Sequence, residues 1–482
     1  MASKGSRVLA AAVVATMALA AVIAWTLSPG RAPHATRSKR PNVVLLSLDT
    51  TRRDHMSFHG YERRTTPHLR RMMADRGVVF DTATTVQTNT APAHATMFTG
   101  LYPTTHGIRQ NGMRLRDDVP TLAEILRREG YATGGFVSGW TLTGHTGLDR
   151  GFDLYDDDIP GRGWRQQRPA HRTWARTEPW LRRQATTEEP FFLFFHLFDP
   201  HHPYEPPPEY ARRFLPDGKT EFETEADAAL PHLKSELSQQ LPPGGAEEYV
   251  SRYDGEIAYA DEHMGELLVL LEELGVADDT LVILVADHGE TLLDRVFAFA
   301  HGGRVYDEQV RIPLVLRLPG DEYAGRRVSE QVSNIDLMAT VLDFLGVSGV
   351  DGIAGRSLLP LARRDSEAES VPTFSNARPE PGFVPEIRAP LVKRGLVASV
   401  RLPNLKLIEY PMKGGGWYQQ LFDLQHDPAE QHDISSEHPE VVRQLHDELE
   451  RWRGATGGTD RAAPPELSPE VEAALRALGY VE

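Results

Sequence analysis

PNVVLLSLDTTRRD, residues 41–54, holds an apolar, β-branched run, NVVLLSL (42–48), that stops on Asp49. A continuous run of this length reads as a strand buried on both faces. The pattern returns in FFLFFHL (191–197), TLVILVA (280–286) and PLVLRL (313–318). Between the runs lie amphipathic segments such as TLAEILRREG (121–130) and EIAYADEHMGELLVLLEELG (256–275), each closing on a glycine suited to a helix C-terminus. Buried strands alternating with helices are the pattern of an α/β sheet.

From about residue 375 the texture changes. GLVASVR, NLKLIEY and WYQQLFDL are strand-like pieces separated by LPN and the glycine-rich KGGGW, which predicts a small antiparallel subdomain over 376–482. The tail LSPEVEAALRALGYVE reads as a closing helix with Ser468 at its N-cap and Pro469 at its first position.

The N-terminus differs from both regions. Lys4 and Arg7 precede VLAAAVVATMALAAVIAWTL (8–27), an uncharged run of about the ~20 residues that a spanning helix needs. Residues 1–28 are therefore expected to be a signal-anchor, with a cleaved signal peptide as the rival reading, and 29–41 a linker. Either way the body over 42–375 and beyond would lie outside the cytoplasm, periplasmic or extracellular, tethered to the membrane or released. The net charge of −16 argues against a nucleic-acid partner. The chain has no cysteine, which excludes disulfides, thiolate metal sites and a cysteine nucleophile. GRGWRQQRPAHRTWARTEPWLRR (161–183) concentrates seven arginines and three tryptophans. It is read as a solvated helix whose tryptophans pack on the body, the alternative being a surface for anionic substrate or lipid headgroups.

In open α/β sheets, ligands bind beyond the carboxyl ends of the strands. The run at 42–48 leads into Asp49 and the run at 280–286 into Asp287 and His288, so three metal ligands are expected on one rim. Carboxylate and imidazole together suit a divalent ion such as zinc or manganese. Between them in sequence, TNTAPAHATMFTGLYPTTHG (88–107) has the form of a catalytic elbow. Pro92 suits a first helical turn, whose N–H groups favour a bound anion. Thr90 at its head reads as an N-cap when taken alone. Beside a metal it becomes a candidate nucleophile and ligand, because coordination lowers a hydroxyl pKa.

Taken in order, PNVVLLSLDTTRRDHMSFHGYERRTTPHL, TAPAHATMFTGLYPTTHG, FDPHHPYEPP, VADHGE, AHGGRVYDEQVRIPLVLRLPG and LFDLQHDPAEQHDIS resemble the successive blocks of the sulfatase family, within the alkaline-phosphatase superfamily. The resemblance runs from about residue 41 to 440. It implies an α/β/α sandwich around a large mixed sheet, with a smaller C-terminal antiparallel α+β subdomain, and an ester hydrolase that uses a divalent ion (zinc, manganese or calcium) in one site. The departures are specific. Sulfatases mature a cysteine or serine in C/S-x-P-x-R to formylglycine; here the block is Thr90-Ala91-Pro92-Ala93-His94. The family's paired aspartates appear as Asp49-Thr50. Asp49, Thr90, Asp287 and His288 look instead like the metal site of superfamily members with a threonine nucleophile.

The resemblance also assigns a second layer. His301 falls where sulfatases place an anion-binding lysine, and His201 matches a substrate-side histidine, with His202 as its alternative. Arg52 could contact a leaving oxyanion or form a structural salt bridge. His106 and Asn111 are weaker candidates, and Asp199, Asp261 and His263 are the residues available for a second ion. The expected substrate is a small anionic ester, phosphate or phosphonate first and sulfate second. A phosphoethanolamine-type transferase and a catalytically silent binding module complete the alternatives.

Overall fold

The computed structural model describes residues 40–161, 166–215, 245–295, 299–363, 370–378, 396–413 and 415–456. The expected membrane segment (8–27) and the expected closing helix (467–482) lie outside the described residues. Among the described residues no helix is long and apolar enough to cross a membrane.

All four predicted strands form. β1 (Asn42–Leu48), β2 (Val78–Phe80), β4 (Ala132–Phe136), β5 (Leu154–Asp156), β6 (Phe191–Leu197), β7 (Thr280–Ala286), β9 (Leu314–Arg317) and β10 (Arg326–Val328) build an eight-stranded sheet in the order β10-β2-β9-β7-β1-β6-β4-β5. The sheet is mixed because β9 alone runs against its neighbours β7 and β2.

Alternation along each central strand divides the core in two. Val43, Leu45, Phe192, Phe194, Leu281 and Ile283 face one layer, where they meet Ala91, Ala95 and Phe98 of the helix Thr90–Thr99 and Leu337, Met338 and Val341 of the helix Asp336–Leu345. Val44, Leu46, Leu193, Phe195, Val282 and Leu284 face the other, against Leu267, Leu268 and Leu271 of the helix Gly245–Glu273 and Trp180 and Leu181 of the helix Ala170–Gln184. This is the expected α/β/α sandwich. Within the arginine-rich segment the helix Ala170–Gln184 buries Trp180 and half-buries Trp174 on the core while Arg172, Arg176, Arg182 and Arg183 are exposed; Arg168, before it, is buried, and Arg162, Trp164 and Arg165 lie outside the described residues.

A three-stranded sheet, β11 (Val332–Ser333), β3 (Ala83–Thr84) and β8 (Arg311–Ile312), lies near the sandwich edge. The C-terminal sheet is β12 (Thr373–Ala377), β13 (Val397–Arg401), β14 (Leu405–Pro411) and β15 (Trp417–Asp423), antiparallel throughout. β12 spans the expected 375/376 boundary, so this sheet draws its first strand from the end of the larger region. The helix Pro439–Thr456 covers one face through Val442, Leu445, Leu449 and Trp452.

β4 is the strand that allows the helix Ala170–Gln184 to sit close to the sheet. A Cβ on Gly134 would stand 2.6 Å from the Trp180 ring. Gly134→Ala is expected to destabilise the protein by about 1–3 kcal/mol through overpacking, read as a shift in the midpoint of chemical denaturation.

Candidate active site

The register of the three central strands builds the site. Leu48 pairs with both Leu197 and Ala286, so β1, β6 and β7 end level. Asp49 and Asp287 are the next residues, and their N–H groups still donate to the Leu197 (2.9 Å) and Leu48 (3.4 Å) carbonyls. Asp49, Asp287 and His288 are wholly buried, and each offers a ligand atom within 4.8 Å of the others.

Their remaining hydrogen bonds define which atoms are left over. Asp287 Oδ1 accepts from the Thr50 and His288 backbone N–H groups (3.0 and 2.8 Å), while Oδ2 has no hydrogen-bond partner. His288 Nδ1–H donates to the Gly289 carbonyl (2.9 Å), so Nε2 carries the lone pair and is also without a hydrogen-bond partner. Asp49 Oδ2 accepts from His196 (3.2 Å) and Oδ1 from no group. Thr50, between the two carboxylates in space, is held at φ +44° by its N–H bond and by Tyr253 Oη–H on its carbonyl (2.7 Å). Such a left-handed non-glycine conformation persists where the surroundings fix it.

Two buried carboxylates this close disfavour ionisation. Burial pushes Asp49 up to about 8, with the neighbouring Glu290 charge adding to the rise and His301 and the Thr90 hydroxyl opposing it. Burial, then the charge on Asp49, drives Asp287 well above the usual carboxylate range. Oxygens on two acids and one imidazole nitrogen, all buried and lacking hydrogen-bond donors, are a donor set that fits a divalent cation.

The elbow brings a fourth such atom. Thr90 opens the helix Thr90–Thr99, and its wholly buried Oγ lies near enough to Asp49 to affect that carboxyl, yet makes no hydrogen bond of acceptable geometry. Thr90 does not cap its helix. Asn89 occupies the N-cap position, and the side chain of Asn111 accepts the Ala91 N–H (2.9 Å). His106, the other candidate near the elbow's exit, bonds Thr96 Oγ and the Ile108 N–H and is structural.

His301 lies on the same side, its ring 4.4 Å from that of His288 and 5.1 Å from that of His201. Glu290 accepts from His301 Nδ1 (3.1 Å). Burial works against the charge on His301, but Glu290, Asp49 and Asp287 outweigh it and raise the pKa. His201 stacks on Phe198 (4.2 Å, 18°), and its Nδ1 meets the His202 carbonyl (2.6 Å). Of the two roles open to Arg52, the geometry supports the salt bridge. Its guanidinium is engaged by Asp54 (2.7 and 2.9 Å), Asp294 (2.5 and 3.1 Å) and the Glu290 carbonyl (3.2 Å). The residues available for a second ion are employed elsewhere. Asp261 accepts the His68 and Leu69 N–H groups, His263 pairs with Glu266, and Asp199 accepts the Ala170 N–H through Oδ1 while its Oδ2 has no hydrogen-bond partner; among the described residues none of the three falls in a group of potential metal ligands.

A family model described as Sulfatase matches residues 41–347, more than half of the chain. The chain belongs to the sulfatase family. A second model, N-sulphoglucosamine sulphohydrolase, C-terminal, matches residues 299–455 of this sulfatase-family hydrolase. Among curated relatives it is 27% identical to arylsulfatase K of Homo sapiens, covering 91% of this chain and 86% of the relative. Its fold matches the phosphonate monoester hydrolase of Agrobacterium radiobacter with a TM-score of 0.69 at 23% identity, covering 86% and 96% of the two chains. It also matches a structure solved with D-glucosamine-2-N,6-O-disulfate, with a TM-score of 0.72 at 20% identity, covering 88% and 99%.

Sequence reasoning passed over Glu290 and His196, and named Thr50 only as the residue in place of a second aspartate. Glu290 lies within VADHGE, and His196 is the one ionisable residue in FFLFFHL, a signal that could have drawn attention. Asn111→Ala should cost about 1–2 kcal/mol in thermal denaturation, because it orphans a buried helical N–H; Asn111→Asp, which keeps the acceptor, should recover most of that loss.

Proposed function

We propose that this sulfatase-family hydrolase cleaves phosphate or phosphonate esters with Thr90 as nucleophile, Asp49, Asp287 and His288 holding one divalent ion. The observation that carries the reading is the convergence of four buried atoms without hydrogen-bond partners: Asp49 Oδ1, Thr90 Oγ, Asp287 Oδ2 and His288 Nε2. A divalent ion there supplies the positive charge that acidifies a hydroxyl and neutralises the oxygens of the transferring group.

The residues of this chain divide the remaining work. Thr90 Oγ forms the new bond to phosphorus as the bond to the leaving alkoxide breaks, and the proton that Oγ gives up passes to the neighbouring Asp49 carboxylate. His301 sits on the partly open side of the site, anchored by Glu290, and delivers a proton to the leaving oxygen. His201 contacts the ester from the same side. Water then attacks phosphorus as its proton returns to His301, the bond to Thr90 Oγ breaks, that oxygen regains the proton held by Asp49, and the phosphate or phosphonate product leaves. Arg52 acts at one remove by fixing the carbonyl of Glu290.

Sulfate-ester hydrolysis is the second reading, favoured by the sulfatase name of the curated relative. The same in-line displacement at sulfur serves it. The uncharged apolar run at the N-terminus, with Lys4 and Arg7 before it, supports a body held outside the cytoplasm by a membrane tether, or released from it.

In a panel of aryl sulfate, aryl phosphate diester and phosphonate monoester, the ester turned over fastest identifies the reaction. Thr90→Ala is expected to lower kcat/KM on that ester by about 1,000-fold or more; activity within a few-fold of wild type would remove Thr90 as nucleophile. Chelator-treated protein should regain activity and thermal stability with Mn2+ or Zn2+. Free ion at about 100 times Kd corresponds to about 2.7 kcal/mol of stabilisation, and Asp287→Asn should abolish the shift.

A further inference from the structure

β1 and β6 run in register, so Ser47 and His196 are cross-strand neighbours on the face covered by the elbow helix. The other residues that these strands present to that face are apolar: Val43 and Leu45 on β1, Phe192 and Phe194 on β6. A serine and a histidine therefore stand wholly buried at the last inward position of each stripe. Buried polar groups of this kind need partners, and here the partners lead to the reacting end of the site.

His94 descends from the elbow helix between them. Its Nδ1–H donates to the Thr90 carbonyl (2.8 Å), which leaves Nε2 to accept from Ser47 Oγ–H (2.8 Å). His196 meets His94 edge to face, with ring centroids 5.0 Å apart at 88°. The backbone N–H of Ser138 donates to His196 Nδ1 (3.4 Å), so the ring's hydrogen is on Nε2, aimed at Asp49 Oδ2 (3.2 Å). One imidazole thus holds the backbone of Thr90, the other holds the first carboxylate, and the two touch.

We infer that His94 and His196 are a pair of positioning residues that align the nucleophile with the Asp49 carboxylate. His196 occupies Oδ2 and stops the carboxylate from rotating, which leaves Oδ1 as its single donor for a cation; His94 ties the first turn of the elbow to β1 through Ser47. The inference rests on the metal site and nucleophile proposed above. It gives the histidine in Thr90-Ala91-Pro92-Ala93-His94 a function that its burial alone does not. Were the two rings only filling the core, their replacement would change stability and leave ion affinity alone.

The test uses the full-length protein, stripped with chelator and titrated with Mn2+ by calorimetry. Asparagine at 196 reaches the Nδ1 position and keeps the Ser138 contact but loses Asp49; glutamine reaches the Nε2 position and keeps a donor for Asp49. His196→Asn is expected to weaken Mn2+ binding by about 10- to 100-fold, and His196→Gln to stay within about threefold of wild type. Equal Mn2+ affinities for the two variants overturn the role of His196, even if both melt at lower temperature. His94→Leu is expected to lower kcat with KM and Mn2+ affinity little changed; a kcat within twofold of wild type overturns the role of His94. Failure of the wild-type protein itself to bind Mn2+ or Zn2+ overturns the underlying metal-site reading, an outcome distinct from either of these.

Discussion

Two carboxylates forced side by side in a dry rim are the constraint around which this structure is arranged. Parallel pairing of β1 with β7, level to the last residue, leaves Asp49 and Asp287 no way to separate. Each ionised carboxylate in such surroundings loses several kcal/mol of hydration, and like charges add repulsion. The neighbouring groups act against that cost in a consistent way. Backbone N–H groups of Thr50 and His288 point at Asp287, His196 donates to Asp49, and His301 brings positive charge, itself held by Glu290. What remains is a set of buried polar atoms without hydrogen-bond partners, gathered around two carboxyls that burial holds toward the protonated form, an arrangement that a cation would relieve.

The smaller sheet takes part in this arrangement through the chain that follows His301. Val305, Tyr306 and Val310 pack with Ala377, Val397, Ile408 and Phe422 of β12–β15. Beside them Lys406, wholly buried, bridges Asp307 and Glu430 (2.8 Å each), while Arg401 adds to Asp307 (3.2 Å) and Arg295 to Glu308 (2.9 Å). Burial would raise the Asp307 carboxyl, but Arg401 and Lys406 together hold it well below the usual range. Breaking one member of such a buried group strands its partner, at about 3–5 kcal/mol. The C-terminal sheet therefore anchors the segment that follows His301, which gives the smaller sheet a role in the geometry of the site.

The sequence made the central strands legible because burial on both faces demands unbroken apolar runs, and β1, β6 and β7 match 42–48, 191–197 and 280–286 without adjustment. β2, β5 and β10 were not legible: three residues at or near the sheet edge are too short for a period to show. In β4, ATGGF, two glycines conceal the strand, since they are selected by the close approach of Trp180 and Tyr155 and not by strand preference. Asp49, Asp287 and His288 were legible from strand ends alone, whereas His196 depends on which face β6 turns inward and Glu290 on the path of the loop after β7. Arg52 shows the limit most clearly, because its partner Asp294 lies 242 residues away and only the fold brings them together.

The histidine at 94 also bears on the charge balance of the elbow. The neutral ring has one donor and one acceptor, and the Thr90 carbonyl and Ser47 hydroxyl satisfy both within a wholly buried space. An arginine, the residue that sulfatases place there, carries five donors and a permanent charge. It would bring more donors than the Thr90 carbonyl and the Ser47 hydroxyl can accept, beside Asp287 Oδ2 (3.8 Å from His94 Nδ1) and near His196, whose hydrogen is already committed to Asp49. The elbow of this chain is thus built without a fixed cation. On the reading proposed above, positive charge for a tetrahedral anion comes from His301 and from an ion held by Asp49, Asp287 and His288, in the place of the motif arginine.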